Sequence, residues 1–127
     1  MSETTTRGIR IVARSTYEAE HSAPAESRWF FSYRIRIENV GRETAQLLSR
    51  LWRITDDRGE ETRVEGPGVV GETPVLAPGE WFEYTSFCPL PTPMGVMEGH
   101  YVMELATGER FEARIAPFTL AAPGAVN

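Results

Sequence analysis

The sequence predicts an all-β domain, an immunoglobulin or fibronectin type III-like β-sandwich of about seven strands. Three observations predict it. Apolar residues recur with a period of two rather than that of a helix, the stretches that carry them are short, and Gly, Pro, Asn and Asp separate them.

The first stretch, Ile9 to Tyr17, puts Ile9, Ile11, Ala13 and Tyr17 on one face and Arg10 and Arg14 on the other. The second is the clearest: Trp29, Phe31, Tyr33, Ile35 and Ile37 alternate with Ser32, Arg34, Arg36 and Glu38, up to the turn signal Asn39-Val-Gly41. In the third, Gln46 to about Asp56, strict alternation places Leu48, Trp52 and Ile54 on one side and Leu47, Leu51 and Arg53 on the other. Apolar residues on both sides predict a central strand covered twice in part. Asp56-Asp-Arg-Gly59 reads as a hairpin turn, followed by a return strand through Thr62, Val64 and Glu65. From Gly66 to Glu80 the breaks Gly66-Pro-Gly68, Gly71, Pro74 and Pro78-Gly79 predict an ordered loop and exclude a helix. Three more strands are expected: Trp81 to about Cys88, then Gly99 to Ala106 and Glu109 to Phe118, the last two joined by the tight turn Ala106-Thr-Gly108. Between the first two, Pro89 to Gly95 reads as a rigid proline-rich linker.

The chain has 127 residues, 41% of them hydrophobic, which is enough for one core without disulfides or a structural metal. The expected organisation is a single domain over 1–127 with 1–7 and 121–127 as flexible tails. Cys88 is the lone cysteine, so disulfide scaffolds and cysteine-rich zinc modules are excluded. All 13 basic residues are arginine, which removes Schiff-base and phosphate-loop lysine chemistry. A net charge of −5 opposes sequence-independent nucleic-acid binding. No apolar run reaches the length of a membrane span and the N-terminus lacks a signal-peptide pattern, so no membrane insertion and a cytoplasmic location are expected.

Gly66-Pro-Gly-Val-Val-Gly71 matches the spacing of dinucleotide-binding turns, and its amides together with Arg50 or Arg53 form the candidate anion site. That motif works where a strand precedes it and a helix follows. Here Pro74 and Pro78 exclude the helix, and Pro67 lacks an N–H. The competing reading is a turn in which Gly66, Gly68 and Gly71 supply positive φ or close packing. Asp56, Asp57, Glu60, Glu61 and Glu65 could offer oxygen ligands to a hard cation, but lack calcium-loop spacing and alternate in direction. His21, His100 and Cys88 have no metal-ligand spacing, so no metal site or cofactor is assigned. No nucleophile elbow or nucleophile–base pair is visible, so no catalytic residue is assigned and no enzyme is expected. Cys88, at a strand end, reads as a buried, inert thiol. Arg34 and Arg36 face outward on the second strand, where they could hold an anion or a partner's carboxylates beside Glu38.

The residues Asn39-Val-Gly41, Gln46 to Ile54, Val64 to Gly71, Pro74, Leu76-Ala-Pro-Gly79 and Tyr84-Thr-Ser86 together resemble the bacterial ApaG family. So do Thr92-Pro-Met-Gly95, Met97, Gly99-His-Tyr101, Met103 and Pro117-Phe-Thr-Leu120, and the likeness covers about residues 5–125. The resemblance implies a fibronectin type III-like sandwich. It also implies an association with cobalt and magnesium tolerance in bacteria, and a protein-interaction role in eukaryotic proteins that carry similar domains. It carries over no catalytic residue. The chain departs from the family pattern at Phe87-Cys-Pro89, where a small residue is usual, and at Pro67, where glutamate is frequent.

The expected function is therefore a non-enzymatic binding module that engages another protein, or a second copy of itself, through outward positions such as Phe30, Arg34 and Arg36. The alternative is an accessory factor in divalent-cation homeostasis, or a phosphate or nucleotide sensor acting through the loop 66–71.

Overall fold

The computed structural model describes residues 1–125. Nine strands run in the order β1 (Ser2–Thr6), β2 (Ile9–Tyr17), β3 (Trp29–Asn39), β4 (Ala45–Asp56), β5 (Glu61–Pro67), β6 (Val75–Leu76), β7 (Trp81–Leu90), β8 (Met94–Leu105) and β9 (Arg110–Ala121). They form two antiparallel sheets, one ordered β1-β2-β3-β7 and the other β5-β4-β8-β9 with β6 paired to β4. Between β2 and β3 lie two short 3₁₀ turns, and there is no α-helix among the described residues. This is the expected all-β sandwich, and its seven expected strands are β2, β3, β4, β5, β7, β8 and β9.

Of the two extra strands, β6 is only two residues long and β1, Ser-Glu-Thr-Thr-Thr, carries no apolar stripe. The segment 1–7, expected to be a flexible tail, instead supplies β1, which pairs with β2 from Ser2 opposite Ala13 to Thr6 opposite Ile9. Its Ser2 hydroxyl also donates to the Ala116 carbonyl at 2.8 Å, tying the strand to the second sheet. At the other end Ala121 closes β9 and Ala122 is buried, its amide bonded to the Pro93 carbonyl. Residues 126 and 127 of the expected C-terminal tail lie outside the described residues.

The inner faces meet in one core. Ile9, Ile11, Phe31, Ile35 and Ile37 come from the first sheet, and Leu47, Trp52, Met97, Tyr101, Met103, Ile115 and Leu120 from the second. On β2 and β3 the faces are those that alternation predicts. On β4 they are not: the register with β8 steps from Leu47–Met103 to Ser49–Val102, so Leu48 is an extra residue that reverses the phase. Leu47 therefore shares the core with Trp52, opposite to the expected grouping, while Leu51 is buried outside the core cluster. A second irregularity between Met97 and Gly99 takes up Pro117 of β9, whose missing N–H suits a position outside the ladder.

The turns follow their residues. Gly59 (φ 86°) closes the β4–β5 hairpin, where the Asp56 carboxylate accepts the amides of Arg58 and Glu60 at 2.9 and 3.0 Å. Gly108 (φ 90°) closes the β8–β9 hairpin, its amide bonded to the Leu105 carbonyl. The linker expected over Pro89 to Gly95 is shorter, because β7 runs through Pro89 to Leu90 and β8 begins at Met94. Pro89 is tolerated there because β7 is the edge of its sheet.

Candidate functional site

Arg50 organises the region around the glycine loop. On β4 it sits opposite Gly66, and one guanidinium nitrogen donates to the carbonyls of Pro67 at 2.9 Å and Gly68 at 3.0 Å. Gly66 makes room for it: a Cβ there would lie 3.4 Å from both terminal guanidinium nitrogens. Gly68 (φ 60°) turns the chain back, and a Cβ on it would meet the Glu72 carbonyl oxygen at 2.3 Å. Val69 is then buried in the core, and Val69 and Glu72 exchange amide bonds of 2.8 Å across a two-residue turn. The tip, Val70 (φ 43°) and Gly71 (φ 81°), has the positive dihedrals of a type I′ turn. In a β-branched residue such as Val70 that conformation is strained.

This arrangement supports the turn reading of Gly66, Gly68 and Gly71 more than the phosphate cradle. The Gly68 amide is bonded to the Leu48 carbonyl and that of Val69 to Glu72, so neither converges on an outside ligand. The carbonyls of Pro67 and Gly68 face Arg50. A short strand, β6, follows the loop instead of a helix. Arg53 is not part of the site: it projects from the opposite face of β4 to bond Glu98 at 2.9 Å.

Between the loop and the inner edge of the first sheet lies a pocket of about 390 Å³ lined by Tyr33, Arg50, Trp52, Tyr84, Ser86 and the loop residues 67 and 69–71. Behind it the Tyr84 and Tyr101 hydroxyls share a hydrogen bond of 2.5 Å. Trp52 stands edge-on to Tyr33, Tyr101 and Phe118, with ring centroids 5.3 to 6.4 Å away, and its buried indole N–H has no hydrogen-bond partner among the described residues. Burial pushes the hydroxyls of Tyr33, Tyr84 and Tyr101 above the usual phenol range, while the nearby Arg50 charge pulls weakly the other way. The tyrosines are therefore neutral at pH 7 beside one fixed positive charge.

The outer face of the first sheet is a second feature. The alternation of β3 and β7 sends Phe30, Arg34, Arg36, Trp81 and Phe87 outward. Phe30 and Phe87 stack at 5.6 Å, and the Arg36 guanidinium lies over the Trp81 ring at 4.1 Å. Phe87 is 58% exposed and Trp81 52%, large for aromatic residues. Beside them a shallow depression gathers Arg10, Arg14, Arg34 and Arg36 with Glu3, Glu38 and Glu83, a face richer in arginine than in acid on a chain of net charge −5. Trp81, Phe87 and Arg14 were not among the contact positions expected from the sequence. The signal for the first two was an aromatic residue at outward-phase positions of an alternating strand.

The remaining candidates do not converge. Among the described residues no group of three or more His, Cys, Asp or Glu side chains could hold a metal ion. His100 faces Glu112 at 3.4 Å, and His21 packs on Phe30. Cys88 is buried, and desolvation pushes its thiol up to about 11, as expected of an inert cysteine.

A family model described as DUF525, the ApaG domain, matches residues 19–105. Protein ApaG of Rhodospirillum centenum is 55% identical over 118 residues, covering 93% of this chain and 91% of its own. Protein ApaG of Anaeromyxobacter dehalogenans is 52% identical over the full length of both. Among solved structures, an ApaA protein from Bordetella pertussis superposes with a TM-score of 0.89 at 46% identity, covering 91% of this chain and 94% of its own. No helix among the described residues is long and apolar enough to cross a membrane.

Proposed function

The chain belongs to the ApaG family, and from that premise we propose that it is a non-enzymatic module that binds another protein through the outer face of the sheet β1-β2-β3-β7. The observation that carries this reading is the pair of exposed aromatic contacts on that face, Phe30 on Phe87 and Arg36 on Trp81. Aromatic and arginine side chains held by their neighbours lose little freedom on binding, which is why they anchor interfaces. Arginine outnumbers acid around them, so the face suits a partner that presents an acidic strip beside an apolar side chain.

The cell compartment follows the same reading, with the module acting in the cytoplasm. A part in cobalt or magnesium tolerance would then be exercised through the bound partner.

The test compares capture by the wild-type chain with capture by Phe87→Ser and by Arg34→Glu, each first shown to melt normally. The reading expects one partner, bound by an acidic segment, to be retained by the wild type and lost from both variants. A partner that both variants still retain would contradict it. Self-association by sedimentation that both variants abolish would make the partner a second copy of the chain.

A further inference from the structure

From the pocket between the glycine loop and β7 we infer a binding site for a small carboxylate that carries an apolar or aromatic body. The inference is independent of the protein-binding face, which lies on the other side of the same sheet.

The site is defined by what it lacks as much as by what lines it. Arg50 offers a guanidinium beside the Tyr33 and Ser86 hydroxyls, which bond one another, and the Tyr84 hydroxyl, which is shared with Tyr101. Seven of the 13 arginines lie within 4.0 Å of a carboxylate, as in Arg7–Glu109, Arg10–Glu3, Arg53–Glu98 and Arg110–Glu104. Arg50 has no carboxylate partner among the described residues, and no acidic side chain lines the pocket. One of its terminal nitrogens is committed to the Pro67 and Gly68 carbonyls, which fixes the guanidinium plane. Its other donors remain for an incoming anion.

At the rim, the amides of Val70 and Gly71 have no backbone partner among the described residues. Val70, with its positive φ, and Gly71 line the pocket, in a turn closed by the bonds between Val69 and Glu72. The polar groups of the lining left without a partner are therefore N–H donors, on Arg50, on the loop tip and on the Trp52 indole, and an acceptor-rich ligand is their complement.

Size and charge narrow the class. One fixed positive charge among neutral tyrosines balances a monoanion better than a phosphate dianion. The walls of Tyr33, Trp52, Tyr84 and Val69 are apolar surfaces on which a hydrocarbon or ring can pack. A pocket of about 390 Å³ accommodates a ligand of roughly benzoate size.

The experiment is an amide NMR titration of the labelled chain with benzoate and, separately, with inorganic phosphate at matched ionic strength. Benzoate should give saturable shifts confined to Val69, Val70, Gly71 and Ser86, and phosphate should give none that saturate. In Arg50→Gln the benzoate affinity should fall by about tenfold or more, the loss expected for one charge-assisted contact. Because Arg50→Gln also loosens the loop, Ser86→Ala is read alongside it and should weaken benzoate binding while leaving the loop resonances in place. Benzoate shifts that fail to saturate, binding unchanged in both variants, or a preference for phosphate would each overturn the assignment.

Discussion

Gly68 and Gly71 both have positive φ, yet they ask different things of a side chain. A Cβ at Gly68 would collide with the Glu72 carbonyl oxygen, whereas a Cβ at Gly71 would meet nothing within 4 Å. Gly71→Ala should therefore cost only the left-handed penalty, about 1 kcal/mol. Gly68→Ala should cost clearly more, and urea denaturation of the two variants checks the order. Arg50→Ala removes two charged hydrogen bonds that hold the same loop and should cost about 2 kcal/mol. It should also speed amide exchange of Val69 and Glu72, whose mutual bonds close the turn.

Buried hydroxyls and the buried thiol set the alkaline limit. Cys88 is raised from 9.0 to about 11 and the three tyrosines above 10.0, so the folded chain holds protons that the unfolded chain releases. Stability is then complete below the unfolded values and is lost as pH rises through them towards the folded ones. Denaturation midpoints should be level from about pH 7 to 8.5 and should fall steeply above about pH 10. In Cys88→Ala the early part of that fall, between about pH 9 and 10, should be smaller.

At the scale of elements, legibility followed amphipathic contrast. The faces of β2 and β3 could be read because Ile9, Ile11 and Ala13 alternate with Arg10 and Arg14 on β2, and Phe31, Tyr33, Ile35 and Ile37 alternate with Ser32, Arg34, Arg36 and Glu38 on β3. The phase of β4 could not, because the extra residue Leu48 is chemically indistinguishable from its neighbour Leu47, and only pairing with β8 reveals which one is bulged. β1 was missed because Thr, Ser and Glu give an edge strand no apolar stripe, although β-branched threonine suits a strand. Deleting residues 1–7 tests its contribution. It would expose the outer edge of β2 and remove the Ser2 bond to Ala116, so the melting temperature should drop by several degrees. An unchanged melt would mean that β1 adds nothing to the sandwich.

The candidate site was legible in the same uneven way. The glycine spacing drew attention to loop 66–71, and Arg50 bonds that loop, whereas Arg53, weighed equally with Arg50 from the sequence, projects from the opposite face of β4. The pocket itself was hidden, because Tyr33, Tyr84 and Ser86 lie far from the loop in sequence and meet it only when β3 and β7 pack against β4.

Considered as a whole molecule, the sandwich separates two surfaces. The donor-lined pocket opens beside the glycine loop at one flank, and the aromatic and arginine face of the first sheet looks away from the core. The outer face of the second sheet carries solvent-screened ion pairs worth little, Arg53–Glu98 and Arg110–Glu104, as the first does with Arg34–Glu83 and Arg36–Glu38, but among the described residues it has no counterpart of the stacked Phe30 and Phe87. The central claim is that only the first of these two faces is built to meet another protein.

Site-specific photocrosslinking in cells tests it most directly, with a photoreactive phenylalanine analogue placed at Phe87 in one chain and at Glu112, exposed on the second sheet, in another. The expected result is a discrete crosslinked species from position 87 and none from position 112. Crosslinks from position 112 alone, or equal yields from both, would contradict the claim.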